Sequence, residues 1–483
     1  MDGADPAVPD ATTSQTRVSQ PTRLAYGIGS LAYATKDNAF NYFLLFFYSQ
    51  VLGVPASLAG LVLSIALALD AISDPMVGLW SDKLHSRWGR RHPFMYVSAL
   101  PVAVSFYLIF NPPLDWNEEQ LLWYLAAMTI AVRLSITFYE VPSIALVSEL
   151  TQDYDERTIL LSYRYFFAWF GGLATIVFVY QILLQPNDKV ANGYFNIDGY
   201  GSFGLIGSLI IFTTILISAM GTHHCIPSLS QPPEKHPFSI RRSFGELRET
   251  LSNPSFIAVV IAILVFGLGV SLASALSIYF NNFFWSLTPT QTGLITAGGL
   301  IAAPIGSLAA PKVGKRFGKK PAALWITGAV CVITPLPIIL RLLGLFPENG
   351  DPLLFPLLTG IIVFDLALII TSQILIVSMI ADIPEDSEIR TGRRSEGTFF
   401  AIQAFARKCI SGIGVLLAGA ILDFVNFPTD GVTQVTEDML NHLALIYIPV
   451  LLGVYIFGLT ALSFYRINRE QHAANLKRLK TAS

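Results

Sequence analysis

Charged side chains are scarce in this sequence. Asp, Glu, Lys and Arg make up 13% of its 483 residues, against roughly 25% in a soluble domain. Hydrophobic residues make up 53% and the mean hydropathy is +0.56, which excludes an ordinary soluble globule and points to a polytopic membrane protein. Cysteine is sparse too: Cys225, Cys331 and Cys409 are odd in number and far apart, so no disulfide framework is implied. Residues 1 to about 22 are rich in Thr, Ser, Gln and Pro and hold no apolar run of the signal-peptide kind. They read as a disordered tail, not a cleaved leader. Signatures of catalysis are missing as well. There is no HExxH, GxSxG or Walker loop, so neither an enzyme nor an ATP-driven pump is indicated, and no cofactor is expected beyond a coupling ion. Gly199-Tyr-Gly201-Ser-Phe-Gly204 spells GxGxxG but opens a membrane span with no strand before it, and is discounted. His223, His224 and Cys225 have no fourth ligand nearby, which argues against a metal centre.

What the sequence does hold is a succession of apolar runs, each long enough to cross about 30 Å of hydrocarbon. They fall at 24–51, 55–81, 93–111, 120–149, 158–184 and 202–221, then at 254–284, 289–313, 321–344, 353–382, 397–424 and 440–466. Residues 222–253, the longest polar connection, carry Lys235, Arg241, Arg242 and Arg248 and divide these twelve spans six and six. The expected fold class is therefore all-α integral membrane, with two pseudo-symmetric six-helix bundles. Its plan is an N-terminal tail (1–23), a first bundle (24–221), a central linker (222–253), a second bundle (254–466) and a C-terminal tail (467–483). Basic residues collect on alternate loops: Lys83 to Arg91, Arg157, the linker, Lys312 to Lys320, Arg390 to Arg394 and the C-terminal tail. The other loops carry Asp115, Glu118, Glu119, Asp423, Asp430, Glu437 and Asp438, with Lys189 almost alone among bases. The positive-inside rule then places both termini in the cytoplasm of a cell membrane.

An internal repeat supports the two halves. Arg87-Trp-Gly-Arg-Arg-His-Pro93 follows the second span, and Arg316-Phe-Gly-Lys-Lys-Pro321 follows the eighth. Glycine allows a turn that other residues resist, and basic pairs suit a loop at the lipid surface. Internal repeats of this kind are typical of secondary transporters, which bind solute and ion between the halves.

The few ionisable residues inside the spans are concentrated in the first half: Lys36, Asp37, Asp70, Asp74, Arg133, Glu140 and Arg164. The second half adds Asp365, Arg407 and Lys408. Asp70 and Asp74, near the end of their apolar segment, lie one turn apart on one helix face. A charge in a membrane helix costs roughly 2.5 to 3.5 kcal/mol on insertion scales, so two on one face suggest a cation or proton site. Arg133, Thr137 and Glu140 also share a face. When the halves meet, these acids and bases nearly neutralise each other, and a Na⁺ or a proton would complete the balance. A structural alternative exists for several of them. Arg133 and Arg157 can snorkel to headgroups, and Asp70 with Asp74 can brace the Arg87–Arg91 loop.

Asp70-x3-Asp74-Pro-x2-Gly78-x3-Asp82 followed by Arg87-Trp-Gly-Arg-Arg-x-Pro93 resembles the signature of the glycoside–pentoside–hexuronide:cation symporters of the major facilitator superfamily. The likeness extends to Tyr26-Gly27, Lys36-Asp37, Ala381-Asp382-Ile383, Arg394, Glu396, Gln403 and Lys408. It implies a solute site that includes Asp37 and a cation site at Asp70 and Asp74 helped by Thr137, with Lys408 linking the two. Carboxylates suit sugar hydroxyls because both oxygens accept hydrogen bonds. Where that family has a second sugar-binding aspartate this chain has Glu140, and a stacking tryptophan falls at Ile144. A sugar-contacting arginine falls at Tyr165 beside Arg164, and a cation-site asparagine falls at Ser73. Tyr33, Tyr139, Tyr165 and Trp169 are the candidate replacement stacking surfaces. Arg87, Arg90, Arg91, Arg157, Asp382 and Arg394 are the expected cytoplasmic gate. The expected activity is Na⁺- or H⁺-coupled symport of a carbohydrate or related polar solute by alternating access. The bilayer is the other expected partner, with no nucleic acid and a functional monomer. Three alternatives stay open: a sucrose-type proton symporter, a lysophospholipid carrier with a laterally open apolar cavity, and a non-transporting receptor or scaffold.

Overall fold

The computed structural model describes residues 18–151, 153–229, 254–381, 396–429 and 435–465, without the side chains of 154, 155, 228, 380, 381 and 396–407. Asp382 and Arg394 lie outside the described residues, as does most of the central linker. No strand occurs among the described residues; the chain is a run of long helices. The first, α1, spans Gln20–Ile28 and Ser30–Asn38, then continues through π turns at Ala39–Phe43 and Phe47–Val51. It is followed by α2 (Ala56–Lys83), α3 (His92–Ile109) and α4 (Glu118–Leu150). Next come α5 (Tyr154–Phe178, with a π turn at Val179–Leu183) and α6 (Ile197–His223). The second half contains α7 (Pro254–Tyr279, with a π turn at Phe280–Phe284), α8 (Pro289–Ala297 and Gly299–Phe317) and α9 (Lys319–Ile333 and Leu336–Leu342). It ends with α10 (Leu354–Ala381), α11 (Glu396–Phe424) and α12 (Glu437–Ser463).

Among the described residues, ten of these helices are long and apolar enough to cross a membrane by length and composition. Their aqueous ends are closed by short polar side chains. Asn117 with Gln120 forms a capping box on α4, and Thr288 with Gln291 forms one on α8. Each satisfies orphan N–H groups that would otherwise end a helix unbonded. Pro75, Pro101, Pro142, Pro304 and Pro449 sit inside helices, which neighbouring helices make tolerable in a bilayer.

The packing repeats. In the first half α1 packs on α5 and α6, α3 on α4 and α6, and α2 on α4. In the second half α7 packs on α11 and α12, α9 on α10 and α12, and α8 on α10. Adding six to each label maps one set onto the other. Local chemistry repeats as well. Gly89 and Gly318, the glycines of the two basic loops, have φ of +72° and +87°, a left-handed conformation that a side chain would strain. Helices α1 and α7 end alike: Leu52 N–H bonds the Phe47 carbonyl at 3.1 Å, and Trp285 N–H bonds the Phe280 carbonyl at 2.9 Å.

The halves meet along α2 with α11 and α5 with α8, pairs that the same mapping exchanges. Hydrogen bonds between them cluster at the end away from the basic loops. Asn192 Nδ2 donates to Asn282 at 2.8 Å, Gln181 Nε2 to the Thr290 carbonyl at 2.8 Å, and Gln50 Nε2 to the Pro428 carbonyl at 2.7 Å. Ser49 and Tyr279 share a further short one. That end is closed.

Candidate ion and solute site

Asp70 and Asp74 lie one turn apart on α2. The sequence reading places them near the end of their apolar segment, but Asp70 stands midway between Ala56 and Lys83. Asp70 is 2% exposed. Thr137 of α4 lies with its Oγ1 2.8 Å from Asp70 Oδ1, 3.2 Å from Asp74 Oδ1 and 3.0 Å from its own helix's Arg133 carbonyl. A hydroxyl has one proton and two lone pairs, so it cannot donate to all three. Three oxygens therefore converge with a lone pair to spare, which is the donor set of a small hard cation or of a shared proton.

Positive charge reaches the same pair from Arg133 and Lys408 by direct contact, and Asp70 also feels Lys36 of α1. Arg133 Nη1 donates to Asp70 Oδ2 at 3.4 Å, and its guanidinium sits 4.9 Å from the centre of the Phe40 ring. Arg133 is 4% exposed, so it does not snorkel; its position one turn before Thr137 aims it at Asp70 instead of at the lipid. Lys408 comes from α11 in the other half, donating to Asp70 Oδ2 at 3.2 Å and more closely to Asp74 Oδ2. Ser73 donates its hydroxyl to the Asp70 carbonyl at 3.0 Å, within its own helix.

The expected solute residues lie on α1, α4 and α5. Lys36 is buried and lies 2.5 Å from Asp37, whose own side chain is 41% exposed. Glu140, partly buried on α4, feels Lys408 and Lys36 most strongly among the bases. Arg164 is buried, donating from Nη1 to Ser143 Oγ at 3.0 Å with its guanidinium 5.8 Å from the Tyr26 ring centre. Tyr165 and Trp169, one turn apart on α5, are both well exposed, as is Ile144. Tyr139 is fully buried and cannot stack on a solute in this conformation. The charges are Asp37, Asp70, Asp74 and Glu140 against Lys36, Arg133, Arg164 and Lys408. These are four acids against four bases; the side chain of Arg407 lies outside those described.

The basic loop after α2 is tied down inside the first half. Arg90 Nη2 and Arg91 Nε both donate to Glu149 Oε1 of α4 at 2.9 Å, and Arg91 also pairs with Asp82. Arg157 donates to the Thr151 carbonyl at 2.9 Å, while Arg87 stays exposed over Trp88. Glu149 was not singled out in the sequence; its place at the end of α4, level with the basic loop, is the signal that points to it. Removing it leaves two guanidinium groups without their shared acceptor, and breaking a buried pair costs roughly 3 to 5 kcal/mol. Glu149→Ala should therefore lower the unfolding temperature of the purified protein clearly, and Glu149→Gln less so.

A family model described as MFS/sugar transport protein matches residues 25–469. The chain belongs to that family. It is a multi-pass membrane transporter and not an enzyme. The transporter is 25% identical to the putative glycoside/cation symporter YagG of Escherichia coli (strain K12), over 94% of this chain and 93% of that one. It is 26% identical to sodium-dependent lysophosphatidylcholine symporter 1 of Gallus gallus, over 98% and 91% respectively. Among solved structures it resembles a bacterial homologue of the human lysosomal transporter Spinster, in an inward-facing and unoccupied conformation. The TM-score is 0.65 at 13% identity, covering 96% of this chain and 99% of that one, a likeness of fold.

Proposed function

We propose that the transporter is a cation-coupled symporter of a carbohydrate or related polar solute, working by alternating access, with a cation site at Asp70, Asp74 and Thr137. One observation carries this reading: three oxygens converge in the first half, and the ammonium that neutralises them, Lys408, comes from the second. A Na⁺ or proton entering there takes over the counter-charge and frees Lys408 toward Glu140. The ion thereby changes both the solute site and the contact between halves. Ion and solute then raise each other's affinity by one factor, because linkage is reciprocal. Asp37 and Glu140 accept hydroxyls of the solute, Arg164 holds α4 and α5 in register, and Tyr165 or Trp169 supplies an aromatic face. Ser73 contributes at most its remaining lone pairs. The closed end faces outward and the basic loops face the cytoplasm, with both termini and the 222–253 linker on that side and the two bundles at 24–221 and 254–466. Arg87, Arg90, Arg91 and Arg157 belong to the cytoplasmic gate with Asp382 and Arg394, and the unit is a monomer.

Uptake into proteoliposomes of labelled sugars, glycosides and uronides tests this, run with a Na⁺ gradient, a pH gradient or neither. Accumulation of one solute under one gradient is the expected result. Uptake indifferent to both gradients would contradict the cation site.

One observation favours a second reading. An apolar cavity of about 290 Å³ lies between α5 and α8, lined by Phe170, Leu173, Val177, Phe178, Ile182 and Leu300 among others. It suits an acyl chain, and the relative named for lysophosphatidylcholine gives that chemistry a precedent. Lysophosphatidylcholine therefore belongs in the same uptake panel. Its accumulation with no sugar uptake would replace the carbohydrate reading and leave the cation site intact.

A further inference from the structure

Asp365 of α10 has no role in the transport scheme above, yet it is buried inside the second bundle, 9% exposed. Thr334 Oγ1 donates to its Oδ2 at 2.8 Å. Its other oxygen, Oδ1, is buried with no hydrogen-bond partner. Thr334 stands in the break between the two segments of α9. Just beyond it, Pro335 and Pro337 bring no N–H, so the carbonyls four residues earlier, those of Cys331 and Ile333, lose their helical donors. A carboxylate with a free oxygen thus faces a helix break that lacks donors and has acceptors to spare.

Among the described residues no base offsets the charge. Of those residues, the titratable groups in electrostatic contact with Asp365 are Cys331 of α9 and Tyr447 and Tyr455 of α12, none of them cationic. Helix α7 has no charged residue between Pro254 and Tyr279. On α8, Gly306 packs against Ala367, and Lys312 lies six residues further on, about 9 Å toward the basic-loop end at 1.5 Å per residue. Lys315 and Arg316 are more distant still. Arg341 of α9 donates to the Pro347 carbonyl at 2.8 Å, and Lys319 to the Ser378 carbonyl at 3.3 Å. Glu437, Asp438 and His442 of α12 lie more than one turn before Tyr447. An ionised carboxylate so placed leaves a buried charge uncompensated, which strongly destabilises a bundle. A neutral carboxyl has an O–H to offer instead.

We propose that Asp365 is a proton-binding site of the second half, its carboxylate taking one proton from solvent and remaining a neutral acid across the break in α9. The site is separate from Asp70 and Asp74 and does not depend on how the ion is coupled there. Infrared difference spectroscopy of the protein in lipid at neutral pH tests it. Wild type minus Asp365→Asn should show the carbonyl-stretch band of a protonated carboxyl, shifted in D₂O. Thr334→Val, which removes the hydroxyl donated to Asp365 without touching the acid, should move that band. Superimposable spectra of wild type and Asp365→Asn would mean that Asp365 is ionised, and would overturn the assignment. Should Asp365→Asn fail to fold, Thr334→Val decides: a shifted protonated-carboxyl band supports the site, and an unmoved spectrum overturns it.

Discussion

Asp70→Asn is expected to abolish gradient-driven accumulation while leaving solute exchange across the membrane measurable. Asp70 receives Thr137, Arg133 and Lys408, and it is almost completely buried. An asparagine keeps the shape and one acceptor oxygen but removes the charge, so Arg133 is left inside the bundle without its counter-ion. Breaking a buried pair costs roughly 3 to 5 kcal/mol, and at about 1.4 kcal/mol per tenfold a loss of that size in ion binding is about a hundred- to several-thousandfold. Asp37 and Glu140, the proposed solute residues, are untouched, so exchange without a gradient is expected to persist. Asp74→Asn is expected to do less, since Asp74 is 26% exposed and among the described residues forms an ion pair with Lys408 but not with Arg133. Equal losses from both variants would indicate a shared proton instead of a site centred on Asp70. Undiminished accumulation by Asp70→Asn would end the cation-site reading altogether.

How much of this could be read from the residues depends on how far apart the partners lie. Twelve helices and their doubling follow from apolar runs of the right length and from two matching basic loops, and the two loop glycines are left-handed as their sequence suggests. Spacing alone puts Asp70 and Asp74 on one face of α2, whereas their meeting with Thr137 and Lys408 is implied only by family resemblance. Lys408 is 338 residues from Asp70 in the chain, and no local pattern encodes such a contact. Arg133 shows the limit from the other side. Arg133 stands at the middle of α4 (Glu118–Leu150), too far from either end to snorkel, and it turns inward to the neighbours that face it, Asp70 and the Phe40 ring. The same reasoning covers Ser73, whose hydroxyl has a backbone acceptor one turn back on its own helix. Glu149 was overlooked because an acid at a helix end looks like ordinary surface until the Arg90–Arg91 loop is seen to fold over it.

Gly419→Leu is expected to open the end that is closed here. The contact between α2 and α11 at that end is backbone against backbone. A Cβ at Gly419 would lie 2.4 Å from the Ala56 carbonyl oxygen, and one at Gly60 would lie 2.9 Å from that of Val415. These are fixed backbone atoms, not the ends of pliable side chains, so the helices themselves must separate. Forcing extra methylenes into a packed contact costs typically 1 to 3 kcal/mol, which shifts a two-state equilibrium about 5- to 150-fold. Spin labels at Lys189→Cys and Glu348→Cys, both exposed on loops at that end, should report a longer distance in Gly419→Leu. Transport should fall while solute binding from that side is retained, because the proposed ion and solute residues are unchanged. Gly453→Ala is the control, since a Cβ there meets open space and the distance should not move. If Gly419→Leu leaves the distance unchanged as well, the closed state does not depend on the α2–α11 contact. The seal would then rest on the hydrogen bonds of Asn192, Asn282, Gln181 and Gln50, and Asn192→Ala with Gln50→Ala becomes the variant that opens it.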